Sequence, residues 1–221
     1  MSGARGGIWA VVPVKDFALA KQRLAGAFTP AFRQELARAM LCDVLGALRE
    51  ARELAGFAVI TADPQAGRLA QEFGGRWLME REVSGLNAAV TQAAAVLDAE
   101  GAAGMLVLPG DVPAVTPREI EALLAGHGTS RAISLIAAED RDGTNALLVS
   151  PPQAMSPAFG PGSFARHRAG AEALGIVPTL QEPARFPGFA HDIDTPEAVC
   201  RFKGLRPSSN TGRLLASLQC S

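Results

Sequence analysis

The sequence predicts a single three-layer α/β domain with a mixed, mostly parallel sheet covered by helices on both faces. Two observations lead to this fold class. Short apolar runs rich in β-branched residues alternate with longer segments of helical periodicity, which is the pattern of strands joined by crossover helices. Hydrophobic residues make up 48% of the 221 residues, enough for one sizeable core. Without a linker or repeat, we expect one domain over residues 1–203 and a loosely held tail over 204–221.

The elements of the first half can be placed in order. The apolar run 8–14 is too short for a helix and predicts a buried first strand. A polar loop leads to Thr29-Pro30, which favours a helix start with Thr as the cap, and apolar residues then recur at helical spacing from Phe32 to Leu48. Further strands are expected at 57–61, 76–79 and 104–111, and helices at about 65–73 and 88–97.

The second half contains consecutive strands. Thr116-Pro117 repeats the helix-start chemistry, and two apolar runs at 132–138 and 145–150 follow, separated by a polar turn. Because no helix signal lies between these runs, we expect at least one antiparallel strand. A helix to about Leu174, a strand at 176–180 and a last helix from Thr195-Pro196 complete the prediction.

Composition and motifs exclude several classes of protein. Lys plus Arg is 21 and Asp plus Glu is 22, a balance that argues against a nucleic-acid binder. The sequence has no CxxC pair among Cys42, Cys200 and Cys220. No apolar run could span a membrane, and the N-terminus lacks a signal-peptide layout. We therefore expect a cytoplasmic protein. The dinucleotide and P-loop fingerprints are absent from the sequence, which argues against a dehydrogenase or a P-loop ATPase.

The loop after the first strand carries Lys15, Lys21 and Arg23. Three cations at the carboxyl end of a strand could neutralise a triphosphate, Arg through paired hydrogen bonds and Lys as a point charge. The alternative is an ordinary solvated basic loop.

Carboxylates follow other predicted strands. Asp111 ends the most apolar one, and Asp192 and Asp194 are spaced so that both would point to one face of an extended segment. Carboxylate oxygens are the ligands that Mg²⁺ prefers. The alternatives are a turn-forming or capping Asp111, and an Asp194 that caps the last helix with Asp192 in solvent. Convergence of all three in space would favour the metal.

Two further segments could contact ligands. Leu86 could pack on a base, while Asn87 could contact a sugar or simply cap a helix. Thr144 lies in a polar turn, and Gly160 and Ser163 lie where a helix begins, a place where backbone amides bind anions. Purely structural roles for these residues are the alternative.

As an ordered set, these segments resemble the 2-phospho-L-lactate/phosphoenolpyruvate guanylyltransferase family of coenzyme F420 biosynthesis. The matching pieces, spread from about residue 9 to 200, are VVPVKDFALAKQRLAG, Arg33 to Leu45, EREVSGLNAAV, LVLPGDVP, RDGTNALLVSPP, FGPGSFARH and HDIDTPEAV. The resemblance implies a nucleotidyltransferase domain with the nucleotide-diphospho-sugar transferase (GT-A)-like fold. It also implies a Mg²⁺-dependent reaction, with two ions, between GTP and a phosphorylated three-carbon acid. Phosphoenolpyruvate, 2-phospho-L-lactate and 3-phospho-D-glycerate remain open as the acid.

The resemblance also implies roles for individual residues. The metal ligands would be Asp111, Asp192 and Asp194. The residues that bind the acid would be Thr144, Gly160 and Ser163. The residues around the nucleotide would be Pro13, Lys15, Lys21, Arg23, Leu86, Asn87 and Asp111, of which Lys15, Lys21, Arg23 and Asp111 would be catalytic.

Rival functions differ in what they release or bind. A molybdenum-cofactor nucleotidyltransferase would carry a Gly-rich loop after the first strand, where this chain has Lys and Arg. A sugar transferase of the same fold would release a nucleoside diphosphate, and a GTP-binding module would release nothing. The expected partners are small molecules, with no nucleic acid or membrane, and the oligomeric state is open, a homodimer being one alternative.

Overall fold

A seven-stranded mixed sheet forms the centre of the computed structural model, which describes residues 6–128, 130–216 and 218. Cys220, the first five residues of the chain and the end of the tail lie outside these ranges. The strands are β1 (Ile8–Pro13), β2 (Gly56–Thr61), β3 (Arg76–Met79), β4 (Gly104–Val107), β5 (Ala132–Ala137), β6 (Thr144–Ser150) and β7 (Thr179–Gln181). Their order is β3-β2-β1-β4-β6-β5-β7, and β6 runs antiparallel to both of its neighbours while the other described pairs are parallel. The predicted antiparallel strand is therefore confirmed.

Helices cover both faces of this sheet. They are α1 (Pro30–Glu50), α2 (Pro64–Glu72), α3 (Leu86–Ala99), α4 (Pro117–Ala125), α5 (Ser163–Ala173), α6 (Pro187–Ala190), α7 (Pro196–Phe202) and α8 (Asn210–Leu215). Side chains of β1 alternate between two cores: Val12 packs with α1, α2, α4 and α7, whereas Val11 packs with α3 and α5. This arrangement confirms the three-layer α/β prediction.

Threonine caps start three of the helices as the sequence predicts. The side chains of Thr29, Thr116 and Thr195 accept hydrogen bonds from backbone amides in the first turns of α1, α4 and α7. Each cap precedes a proline, whose fixed φ suits the first helical position. Within the described residues, no helix has both the length and the apolar character needed to cross a membrane.

Within the described residues, the C-terminal tail packs on the domain through α8, whereas the sequence predicts a loosely held segment after Gly204. The carboxylate of Asp43 in α1 accepts the amides of Asn210 and Thr211 at 2.8 and 2.9 Å. Leu215 is fully buried in the α1 core, and Arg206 donates to the carbonyl oxygen of Ala114 at 3.0 Å. The turn-rich sequence PSSNTG concealed a short capped helix because six residues are too few to show a helical period.

Candidate active site

The carboxyl edge of the parallel strands collects several polar residues. The loop with Lys15 follows β1, Asp63 follows β2, and Asp111 lies just beyond β4. Because β6 is antiparallel, its first residues, Thr144 and Asn145, lie at this same edge. The reversed direction of β6 thus adds the side chains of Thr144 and Asn145 to the edge where α/β folds bind ligands.

The three predicted metal-ligand aspartates come together here. Lys21 Nζ lies 2.8 Å from Asp111 Oδ2 and 2.5 Å from Asp194 Oδ1. The Ile193 amide donates to the Asp111 carbonyl oxygen at 3.1 Å, which fixes the segment with Asp192 beside the end of β4. The backbone therefore holds two distant parts of the chain in one carboxylate cluster, defined as Asp111, Asp192 and Asp194.

The surroundings of Asp192 disfavour the charged form of its carboxyl. Its burial raises the pKa of its carboxyl, and the negative charges of Asp111 and Asp194 raise it further. Asn145 Nδ2 opposes this effect through a hydrogen bond of 3.4 Å to Asp192 Oδ1. The cluster therefore carries like charge that a cation would relieve.

The capping alternatives for these aspartates are not what the structure shows. Thr195 caps α7, and Asp194 instead contacts Lys21 and, at 3.6 Å, Arg23. Likewise α4 is capped by Thr116 and not by Asp111. Neither the Asp111 nor the Asp194 carboxylate therefore caps a helix.

The cationic loop is built around Lys21. Its side chain is only 9% exposed, and its backbone is left-handed with φ 52°. The buried Arg33 donates to the carbonyl oxygens of Ala20 and Lys21 at 3.3 and 3.4 Å, which holds this turn against α1. Burial alone would lower the pKa of Lys21, but Asp111 and Asp194 outweigh it and raise the pKa. Lys21 is therefore a fixed counter-ion, whereas Lys15 and Arg23 are exposed.

The donor chemistry of the carboxylate cluster fits a hard divalent cation, since three carboxylates of one sheet edge supply only oxygen ligands. No group of three acidic, His or Cys side chains within the described ranges is arranged as a ready metal site. The Lys21 ammonium lies between Asp111 and Asp194.

A buried hydroxyl cluster adjoins this edge. Thr144 Oγ1 lies 2.9 Å from His167 Nδ1 and 3.2 Å from Ser163 Oγ. His167 is fully buried, and its Nε2 accepts the Ala158 amide at 2.8 Å. Burial, reinforced by the charge of Arg166, lowers the pKa of His167 to about 4, so the ring is neutral near neutral pH.

The start of α5 differs from the open anion site that the sequence suggests. The Gly162 amide donates to Asp142 Oδ2 at 2.7 Å, the Ser163 amide to the Gly160 carbonyl oxygen, and the Phe164 amide to the Asp142 carbonyl oxygen. Asp142 thus occupies the helix end that an anion would otherwise take. For the Gly160 amide, by contrast, no acceptor is found within the described part of the chain.

Asn87 holds the loop before α5 and does not cap α3, whose first turn is preceded by Gly85. Its side-chain amide accepts the Phe159 N–H at 2.7 Å and donates to the Phe159 carbonyl oxygen at 3.2 Å. Asn87 therefore joins the start of α3 to the loop that carries Gly160.

A cavity of about 540 Å³ opens over Asp111 and Asp194, whereas Asp192 is not among its lining residues. Its lining includes the predicted residues Pro13, Lys15, Lys21, Arg23, Leu86, Asp111 and Asp194. A larger cavity of about 970 Å³ lies at the opposite edge of the sheet, where His127 hydrogen-bonds to Ser134 and Ser150. The charged groups converge in the smaller cavity, which is therefore the candidate active site.

Sequence reasoning missed three residues that contact the predicted site residues or their loops. Asn145 and His167 lie inside quoted motifs, but a single Asn or His without ligand spacing gives no local signal. Arg33 sits on a helical face whose apolar stripe drew attention instead. A charged residue flanking an apolar stripe is the signal that could have revealed Arg33.

This fold, with acidic and cationic side chains at the carboxyl edge beside a nucleotide-sized cavity, fits the class of nucleotidyltransferases. A solved protein from Desulfovibrio desulfuricans G20, assigned to the nucleotide-diphospho-sugar transferases, has the same fold with a TM-score of 0.74 at 14% identity, covering 95% of this chain and 94% of that one. The family described as CofC-like guanylyl transferases matches residues 8–198, and the chain belongs to it. This confirms the resemblance drawn from the motifs.

Relatives of similar length share more than a third of their residues with this chain. A phosphoenolpyruvate guanylyltransferase of Conexibacter woesei is 38% identical over 205 residues, which are 92% of this chain and 91% of the relative. That of Sphaerobacter thermophilus is 38% identical over 198 residues, 90% of this chain and 93% of the relative.

Proposed function

We propose that this protein transfers GMP from GTP to a phosphorylated three-carbon acid, with phosphoenolpyruvate as the first candidate, in the biosynthesis of coenzyme F420. The observation that carries the proposal is the pairing of Lys21 with Asp111 and Asp194 beside a nucleotide-sized cavity. The names of the relatives supply the guanylyl group and the acid. We place this reaction in the cytoplasm.

The reaction needs positioning more than acid–base chemistry. A phosphate oxygen of the acid attacks the α-phosphorus of GTP, a P–O bond forms, and the bond from that phosphorus to the bridging oxygen breaks to release pyrophosphate. The attacking oxygen is already anionic near neutral pH, so no general base is required. Lys15, Lys21 and Arg23 would oppose the charge of the triphosphate and of the leaving pyrophosphate.

Mg²⁺ would be held by Asp111, Asp192 and Asp194. When bound, it supplies Lewis-acid stabilisation of the phosphate oxygens. The support is the burial and the neighbouring negative charges that raise the pKa of the Asp192 carboxyl, together with a ligand set made only of carboxylate oxygens.

The acid would be held by Thr144, Gly160 and Ser163. Since His167 Nε2 accepts a hydrogen bond, the proton of the neutral ring lies on Nδ1, which donates to Thr144. Ser163 donates its hydroxyl hydrogen to Thr144 Oγ1. The hydroxyl hydrogen of Thr144 then remains for an anion. The free amide of Gly160 is the second donor for a phosphate or carboxylate.

One assay tests this proposal. Pyrophosphate release is measured with GTP, CTP and ATP against phosphoenolpyruvate, 2-phospho-L-lactate and 3-phospho-D-glycerate, and the product is identified by mass. We expect release with GTP and one of the acids. Release of a nucleoside diphosphate would indicate a sugar transferase, and GTP binding without release would indicate a binding module.

Asp111→Asn tests the carboxylate cluster within the same assay. The loss of one anionic ligand should lower kcat by about 100-fold or more while the protein remains folded, because Asp111 is partly exposed. Asp98→Asn, which changes a surface carboxylate bonded to Gln153, is the matched control. Unchanged kinetics in Asp111→Asn would reject its role.

A further inference from the structure

A second cavity of about 410 Å³ adjoins the active-site cavity. Pro13, Lys15 and Leu86 line both cavities, so a ligand held over Asp111 and Asp194 can extend into the second one. The walls of the second cavity come from the ends of β1, β2 and β3 and from the start of α3. We name it the side cavity.

The side cavity has the character of a site for a flat ring. Its walls are largely apolar and include Val14, Ile60, Val83, Leu86 and Ala89. Apolar walls with a few polar groups are typical of small-molecule sites, where the polar groups fix the orientation of the ligand.

Three carboxylates line the side cavity, and two of them already have structural partners. Asp16 accepts the Ala18 amide at 2.8 Å. Asp63 uses both oxygens, accepting the Gln65 amide at 2.7 Å and the Phe17 amide at 3.0 Å. These two acids fix the cationic loop and the start of α2, and they leave Glu80 as the third.

Glu80 lies just past the end of β3 and takes part in no side-chain hydrogen bond or salt bridge within the described residues. Burial raises the pKa of its carboxyl, and the charge of Lys15 acts in the opposite direction. The carboxylate therefore lines the side cavity with its acceptor oxygens unused by the described residues, and a ligand in the cavity can supply the donors.

We propose that the side cavity receives the nucleobase and that Glu80 reads guanine, its two oxygens accepting the N1–H and one N–H of the 2-amino group. This inference rests on the proposed function and names the residue that selects the base. A carboxylate binds two parallel N–H groups as it binds a guanidinium. Guanine presents two such donors side by side, whereas adenine and cytosine present one donor beside an acceptor, and uracil presents one donor between two acceptors.

Inosine triphosphate tests the pairing because its base lacks only the 2-amino group. Dissociation constants for GTP, ITP and ATP are measured by calorimetry, and kcat/KM by pyrophosphate release with the active acid. The variants are Glu80→Ala and Glu80→Gln, with the exposed Glu82→Gln as the matched control. The ratio of GTP to ITP affinity isolates base recognition, since any effect on Lys15 and the triphosphate changes both nucleotides alike.

We expect the wild type and Glu82→Gln to prefer GTP over ITP by about tenfold, the effect of one hydrogen bond to a charged group. In Glu80→Ala the two nucleotides should bind within about twofold of each other. Glu80→Gln should weaken GTP at least as much, because its NH₂ group would face a donor.

Two results would overturn the inference: a wild type that does not distinguish GTP from ITP, or a Glu80→Ala variant that keeps the wild-type ratio. The proposed function fails separately. Selective GTP binding that depends on Glu80, without pyrophosphate release from any acid, would keep the base-reading role and reject the transfer reaction.

Discussion

His167 links the loop before α5 to the first residue of β6 through its two ring nitrogens. Its bond to the Ala158 amide fixes the tautomer, and that tautomer makes Thr144 an acceptor. If the ring were reversed, Thr144 would donate its hydrogen to His167 and one donor for the acid would be lost. Under the proposed function, this neutral, buried histidine would act on the acid by setting the direction of the Thr144 hydroxyl group.

Two amide variants separate this positioning role from packing. His167→Asn keeps a donor where Nδ1 lies, and His167→Gln keeps an acceptor where Nε2 lies. We expect His167→Gln to raise the KM for the acid by about tenfold with little change in the KM for GTP. His167→Asn should stay closer to the wild type in that KM.

Thermal unfolding of both His167 variants supplies the control. Each replaces one fully buried ring, so each should lose stability. If the KM for the acid followed the melting temperature in both variants, or stayed constant in both, the positioning role would be wrong.

At the scale of elements, the Asp43 side chain of α1 holds the start of α8. The Asp43 carboxylate accepts both amides that begin α8, at the end of the helix where negative charge is favoured. Asp43→Ala should lower the free energy of unfolding by about 2 kcal/mol, because two amides lose a charged acceptor. Urea unfolding measures the change, with Asp98→Ala as the surface control. A value equal to the control would show that Leu215 packing alone anchors α8.

The sequence predicted elements well where the signal is local. Threonine–proline pairs and apolar runs gave the starts of α1, α4 and α7 and the central strands. Prediction was weaker where the determinant is a distant partner: α8 depends on Asp43, and the start of α5 is occupied by Asp142. Neither contact can be inferred from spacing, since 167 residues separate Asn210 from Asp43 and 20 residues separate Gly162 from Asp142.

The site shows the same division. Position after a strand was enough to predict that Asp111 lies at the ligand-binding edge, because parallel strands end at one edge, but the meeting of Asp111 with Asp194, which follows α6, was left open. Position after strands was not enough to predict that Lys21 lies between Asp111 and Asp194. That placement depends on the left-handed backbone of Lys21, which Arg33 holds through a hydrogen bond. Lys21 can pair with carboxylates and with phosphates alike, because its ammonium group is a compact point charge.

At the scale of the whole molecule, the sheet gathers more negative charge at one edge than Lys21 balances. The raised pKa of Asp192 means that the native state binds this proton more tightly than the unfolded chain does, so ionisation costs stability as the pH rises through that pKa. Asp192→Asn removes the charge and keeps the shape. It should therefore raise the free energy of unfolding near neutral pH by up to about 1 kcal/mol, since solvent screens part of the repulsion.

This gain has a pH dependence and a metal dependence that can be measured together. It should disappear as the pH falls and the wild-type carboxyl takes up its proton. Mg²⁺ should stabilise the wild type near neutral pH, because a ligand that binds only the folded state raises stability, and should stabilise Asp192→Asn less. Urea unfolding of both proteins across pH, with and without Mg²⁺, tests this. An equal Mg²⁺ effect in both would remove Asp192 from the metal site, and a less stable Asp192→Asn would show that its carboxylate is compensated by the fold itself.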